Sequence, residues 1–240
     1  MTTDLLFRAD PYRVETDAVI LGHTDAGGLI VDRSVFYPKG GGQPGDSGAI
    51  TWTGGRLEIA TTVREPDGAV ALVPAEPGAM PETGRPVRQR LDWGRRYRHM
   101  RVHTALHLLS VVIPLPVTGG AIGTDKGRLD FMMPQAPQDR DALEEALNEL
   151  VDRDLPVIED WIDDAELEAN PKLVKTMSVA PPRGSGRIRL VRIGEGESQV
   201  DLQPCGGTHV ARTGEIGRVR LGKIENKGKR NRRVSLLLDN

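Results

Sequence analysis

Val87-Arg-Gln-Arg-Leu91-Asp-Trp-Gly-Arg95-Arg-Tyr-Arg-His99-Met-Arg-Val-His103-Thr-Ala-Leu-His107 is the stretch in which the chain changes its period. Up to Leu91 apolar and polar residues alternate, the pattern of a strand with one face buried. From Arg95 the sequence can run as one helix to Val112, and Pro114 stops it. From Val102 onward that helix is apolar on nearly every side, so much of it should be buried.

Upstream, short apolar or alternating runs recur at Ala18-Val-Ile-Leu21, Leu29-Ile-Val31, Arg56-Leu-Glu-Ile-Ala60 and Ala69-Val-Ala-Leu-Val73. Turn residues such as Asp25-Ala-Gly-Gly28, Thr53-Gly-Gly55 and Pro66-Asp-Gly68 separate them. Short strands at this spacing predict a small barrel or sandwich over residues 1–90, with the Pro- and Gly-rich segment 74–86 near its end. Downstream the spacing predicts a helix over Asp141–Asp152, with Asp141 and Glu144 in the pattern of a capping box. Strands are expected at Ile188–Ile193 and Val234–Leu238. Residues 91–240 thus read as a second domain of mixed type, and the fold class is α+β.

The chain has 240 residues, enough for two small domains with real cores. Its 28 Gly and 17 Pro fall short of the composition of a disordered chain. No apolar run is long enough for a membrane span, and the first residues lack the pattern of a secretory signal. One cysteine cannot form an internal disulfide. The expectation is a soluble cytoplasmic protein with no membrane partner.

Charge is balanced overall, at −2, but uneven along the chain. Residues 85–101 carry seven arginines against Asp92, residues 139–168 thirteen carboxylates against two arginines, and residues 211–233 nine Lys or Arg against two Glu. Each run alone reads as a solvated face, but the two basic runs together could form an anion or nucleic-acid footprint.

Three of the five histidines fall in the predicted helix, at 99, 103 and 107. His103 and His107 are four apart and share a helix face. Far downstream, Cys205-Gly-Gly-Thr-His209 contains the single cysteine. His-x3-His with Cys-x3-His makes a suitable tetrahedral set for one zinc ion. Spacing alone leaves structural and catalytic roles open. Thr104 stands where a zinc protease would carry its glutamate, so no protein general base is named. A second constellation, Phe36-Tyr-Pro-Lys-Gly40-Gly-Gly-Gln-Pro-Gly-Asp46, has three glycines that allow close backbone approach and could present N–H groups to an anion or carbonyl.

These motifs resemble the free-standing alanyl-tRNA editing proteins (AlaX), homologues of the editing domain of alanyl-tRNA synthetase. The resemblance rests on Phe36–Asp46, on His103-Thr-Ala-Leu-His107-Leu-Leu, on Arg128-Leu-Asp-Phe131, on Cys205-Gly-Gly-Thr-His209-Val, and on Thr213–Gly217 through Lys223–Gly228 to Arg232-Arg233. The Gly-rich module is similar to that of the medium-length form. The resemblance implies a β-barrel joined to an α+β editing domain, with the active site in the cleft between them. It implies zinc on His103, His107, Cys205 and His209, and a substrate contact surface of Ser34, Gly40, Gly41, Gly42, Gln43 and Asp46. Ser34 stands where family members usually carry Thr, and its hydroxyl would read that of a serine. The implied reaction is hydrolysis, in trans, of tRNA for alanine mischarged with serine or glycine. The tRNA backbone is expected on Lys223, Lys227, Lys229 and Arg230. The rival readings are a zinc-stabilised RNA-binding module without catalysis and a zinc hydrolase of small acyl esters.

Overall fold

The computed structural model describes residues 2–137, 139–170, 173–174 and 187–239. They form two compact units, Met1–Tyr97 and Arg98–Asn240, and the division falls within one helix.

The first unit runs β1 (Asp4–Leu5), α1 (Leu6–Ala9), β2 (Glu15–His23), β3 (Leu29–Val31), β4 (Arg33–Ser34), β5 (Gly48–Trp52), β6 (Gly55–Arg64), β7 (Val70–Pro74) and β8 (Pro86–Leu91). Six of these strands close into a barrel in the order β2-β3-β7-β6-β5-β8, so none of the six is left with an open edge. The alternation read in the sequence is the reason. Along β8, Val87, Gln89 and Leu91 are buried while Pro86, Arg88 and Arg90 face out. Ile20, Leu29, Val31, Ile50, Leu57, Ile59, Val70 and Leu72 fill the interior as side chains must in a barrel this narrow.

The helix that spans the division is α2 (Trp93–Val112), and in the second unit it buries Met100, Val102, Ala105, Leu106, Leu108 and Leu109. Then come β9 (Val117–Ile122), β10 (Lys126–Met132), α3 (Arg140–Asp152), β11 (Val157–Ile162), α4 (Asp164–Ala169), β12 (Ile188–Ile193), β13 (Asp201–Pro204), β14 (Val219–Asn226) and β15 (Asn231–Leu238). The strands make two antiparallel sheets, β14-β15-β10-β9 and β11-β12-β13. A barrel, three further sheets counting the short parallel pair β1-β4, and few helices among the described residues agree with the α+β class. No described helix is long and apolar enough to cross a membrane.

Two sequence expectations change. Helix α3 is capped by Asp139, whose carboxylate accepts from Ala142 N at 2.9 Å, and not by Asp141. Glu144 does not turn back to complete a box; its Oε2 accepts from Leu221 N of β14 at 2.8 Å. Asn148 joins it there, donating to Val219 O at 2.9 Å and accepting from Val219 N at 3.0 Å. A tertiary partner has outcompeted the local cap. The reciprocal box does form at Asp163 and Glu166, at the start of α4.

The basic run 85–101 is a solvated face only in part: Arg85, Arg88 and Arg90 are exposed. Arg96 is fully buried in the first unit, with Nε 2.8 Å from Asp46 Oδ2, and it also donates to Pro11 O and Val35 O. Arg88 pairs with Glu15 and Asp17, Arg95 donates to Gly45 O, and Arg98 pairs with Asp125.

Candidate metal centre

Helical geometry places His103 and His107 one above the other on α2. Cys205 and His209 come from the segment that follows β13. The four ligand atoms lie within 4.8 Å of one another. Cys205 Sγ is 3.5 Å from His103 Nε2 and 3.3 Å from His209 Nε2. With metal–nitrogen bonds of ~2.0–2.1 Å and a metal–sulfur bond of ~2.3 Å, a tetrahedron has edges of about 3.3–3.7 Å. These two separations fit such edges, and the four residues are compatible with a metal site.

The backbone around Cys205 is held by Arg189 of β12, whose guanidinium donates to Cys205 O at 2.7 Å and to Gly207 O at 2.9 Å. Gly207 N–H points at Cys205 Sγ from 3.5 Å. Burial pushes the Cys205 thiol up, but the charges of His103 and His209 outweigh it and hold the group well below its ordinary value. Thiolate is the form that binds a metal. Burial, together with the charge on His103, drives His209 well below its ordinary value.

Two of the histidines are oriented from behind. Asp201 Oδ2 accepts from His107 Nδ1 at 2.9 Å, and both side chains are buried. Burial lowers the His107 pKa, yet the bonds to Asp201 and Cys205 prevail and raise it to about 9. Thr104 donates its hydroxyl proton to Met100 O at 3.0 Å, so its oxygen accepts from His209 Nδ1 at 3.1 Å. With Nδ1 engaged in this way, Nε2 is the nitrogen of each ring left to face the cluster. Neither Asp201 nor Thr104 was among the sequence candidates. The signal for Asp201 was the spacing Asp201-x-Gln203-x-Cys205, which puts three polar side chains on one face of a strand. His99, one turn before His103, is buried and outside the cluster.

The remaining candidates fall elsewhere. Gly41 and Gly42 form an exposed tight turn with φ of 55° and 83°, which favours glycine at both positions. Gly40 and Gln43 close that turn, with Gly40 N donating to Gln43 O and Gln43 N to Gly40 O. Asp46 accepts from Tyr37 N at 2.7 Å and pairs with Arg96, so its carboxylate ties the loop down. Ser34 is fully buried; its hydroxyl donates to Gln89 Oε1 at 2.9 Å and accepts from Phe36 N at 3.1 Å. Lys223, Lys227, Lys229 and Arg230 are exposed, the last three in the turn between β14 and β15.

Two family models match. The first, tRNA synthetases class II (A), covers residues 12–95; the second, the threonyl and alanyl tRNA synthetase second additional domain, covers residues 188–235 and includes Cys205 and His209. Both describe parts of aminoacyl-tRNA synthetases; the first overlaps the barrel, and the second overlaps the half of the cluster that Cys205 and His209 supply. Alanyl-tRNA editing protein AlaX-M of Methanosarcina acetivorans is 34% identical over 98% of this chain and 99% of its own length. The AlaX-M of Methanosarcina barkeri is 36% identical over the same shares. Alanine–tRNA ligase of Korarchaeum cryptofilum is 37% identical over 91% of this chain but 24% of the ligase. The chain belongs to the alanyl-tRNA editing protein family, AlaX.

Proposed function

We propose that the chain hydrolyses the ester joining a wrong amino acid, serine and with it glycine, to the 3′ end of tRNA for alanine. As an AlaX protein it is an aminoacyl-tRNA hydrolase, and its action in trans is part of this proposal. The observation that carries the reading is the convergence of His103, His107, Cys205 and His209 on one point. The donor set, one thiolate and three imidazoles, suits zinc. Bound there, zinc would supply Lewis-acid polarisation of an ester carbonyl or a water. The protein's own part is to fix the ligands: Asp201 and Thr104 hold two imidazoles, and Arg189 holds the Cys205 backbone.

The physical need for such an enzyme is plain. A pocket built for alanine rejects glycine by only ~1–3 kcal/mol and cannot strongly reject an added hydroxyl. A second site that prefers the error removes it. We assign backbone contacts with the tRNA to Lys223, Lys227, Lys229 and Arg230, and substrate contact to the exposed turn Gly40–Gly42. Gln43 and Asp46 support that turn. Ser34 is assigned to the barrel and not to the substrate, because it is fully buried, with its proton given to Gln89 and its oxygen accepting from Phe36 N.

The test is deacylation of Ser-, Gly- and Ala-tRNA for alanine side by side. Release of serine with Ala-tRNA spared is expected. Binding of tRNA without release of any amino acid, or turnover of simple acyl esters in preference to charged tRNA, would overturn the reading.

A further inference from the structure

The Arg128-Leu-Asp-Phe131 motif has no part in the metal cluster, and its position on β10 asks for a use. Gly127 faces α2, since a Cβ there would come within 2.6 Å of Val102 Cγ1 and 2.9 Å of Leu106 Cδ1. Phe131, on that same side, is buried. Arg128 and Asp130 therefore occupy the opposite face of the sheet, away from the helix that carries His103 and His107.

On this outer face one carboxylate holds two guanidiniums. Asp130 Oδ1 accepts from Arg233 Nε at 2.8 Å, and Oδ2 from a terminal nitrogen of Arg233 at 2.9 Å and one of Arg128 at 2.7 Å. A staple between β10 and β15 needs one arginine; the second brings an excess positive charge. Among the described residues these are the hydrogen bonds the two guanidiniums make, so most of the five N–H donors on each remain open. Arg128 is 32% exposed and Arg233 23%.

Among the described residues, small side chains flank the pair on the neighbouring strands. Gly119 lies opposite Asp130 and Ala121 opposite Arg128 on β9, and Ser235 lies opposite Arg128 on β15. Lys126 extends the same face, Glu225 faces Arg233 from β14, and Lys227, Lys229 and Arg230 continue the cationic surface beyond the strand ends. Asp130 and Glu225 balance Arg128 and Arg233 at the centre, and the excess of cations comes from Lys126, Lys227, Lys229 and Arg230 around them.

We propose that this outer sheet face binds the phosphate backbone of RNA, with Arg128 and Arg233 as contacting cations and Asp130 as the group that positions them. The proposal rests on the reading of the chain as a tRNA hydrolase. Paired planar forks match phosphate oxygens geometrically, and a shallow floor of small residues lets a bulky backbone approach.

Binding of an uncharged transcript of tRNA for alanine to the full chain, followed over a salt series, tests it. R128Q should weaken binding by about tenfold and reduce the slope of log affinity against log salt by about one. G119V keeps every charge but lays a branched side chain over the pair; its Cβ would sit 3.5 Å from Asp130 Oδ2, an ordinary contact, so the variant should fold. It too should bind more weakly, with an unchanged melting temperature and unchanged metal content. Wild-type affinity in both variants, while the parent protein binds with a steep salt dependence, overturns this inference alone. Failure of the parent to bind the transcript overturns the tRNA reading and this inference with it.

Discussion

Replacing Asp201 by Asn is expected to weaken metal binding by about 10–100-fold while leaving all four ligands in the chain. The reason lies in a competition for one nitrogen. His107 Nδ1 lies 2.9 Å from Asp201 Oδ2 and 3.1 Å from Gln203 Nε2, and Gln203 Nε2 is itself 2.7 Å from Asp201 Oδ2. A protonated Nδ1 and an amide N–H are both donors, so they cannot bond to each other. With the carboxylate between them, both point at Oδ2; the imidazole keeps its proton on Nδ1, so Nε2 is the nitrogen that gives up its proton to a metal. Without the charge a second arrangement opens. Gln203 can donate to a bare Nδ1, and the imidazole proton moves to Nε2, where it blocks the metal. A buried hydrogen bond to a charged group is worth ~1.5–3 kcal/mol, and each ~1.4 kcal/mol is a factor of ten. The estimate of 10–100-fold follows. Competition against a chromophoric chelator at fixed pH measures it. D201A should lose as much or more, and adding Q203A to it should recover part of the loss, because the competing donor is gone. Equal affinity in D201N and the parent, with the fold intact by circular dichroism, refutes the tautomer argument.

Four further outcomes are expected. Metal analysis should find one ion per chain, lost in His103→Ala and Cys205→Ala and kept in His99→Ala. Replacing Lys227, Lys229 and Arg230 together by Ala should flatten the salt dependence of tRNA binding by about two to three. The Arg233 hydrogen bond, resisted by burial and helped by Arg128, holds Asp130 below its ordinary value of 3.8. That stabilisation is complete above the unfolded value and is lost as pH falls through the lowered one, so Asp130→Asn should flatten the acid limb of the melting curve below about pH 4. Ser34→Val strands Gln89 Oε1 and Phe36 N in the barrel, so it should cost about 1–3 kcal/mol in thermal unfolding and reduce serine and glycine release equally; a loss confined to serine would return Ser34 to the substrate.

What the sequence showed plainly was periodic. The alternation in Val87–Leu91 and the apolar runs before it become barrel strands, because a strand with one buried face must alternate. The helical repeat from Arg95 becomes α2, which begins two residues earlier. The four residues of the cluster were legible because helical spacing and the scarcity of histidine and cysteine left few other readings. The β9–β10 hairpin was not. Val117-Thr-Gly-Gly-Ala-Ile122 has two glycines and little alternation, and its partner β10 is itself held on the other side by β15, which follows about a hundred residues later. Asp139 escaped notice as a cap because Asp141 matched the local pattern, and no local pattern shows that Glu144 has a partner on β14.

The charge runs divide for a related reason: adjacency in sequence is not adjacency in direction. On a helix each residue turns by about 100°, so Arg96 and Arg98 diverge by about 200°. Arg96 is fully buried against Asp46, while Arg98 reaches the exposed Asp125. On β8, Arg88 and Arg90 do share a face, but there Arg88 meets the carboxylates of Glu15 and Asp17 on β2. The run beyond Asn226 differs in having no period to divide it. Lys227, Lys229 and Arg230 lie in a turn, all exposed, and a turn has no interior face into which a charge could be folded. A local excess of charge predicts a surface where the backbone lacks regular structure, and where regular structure is present the period has to be applied before charges are counted. By that rule the face of Arg128 and Arg233 was hidden in the sequence, since its cations come from two strands about a hundred residues apart and are brought together by the register of β10 on β15.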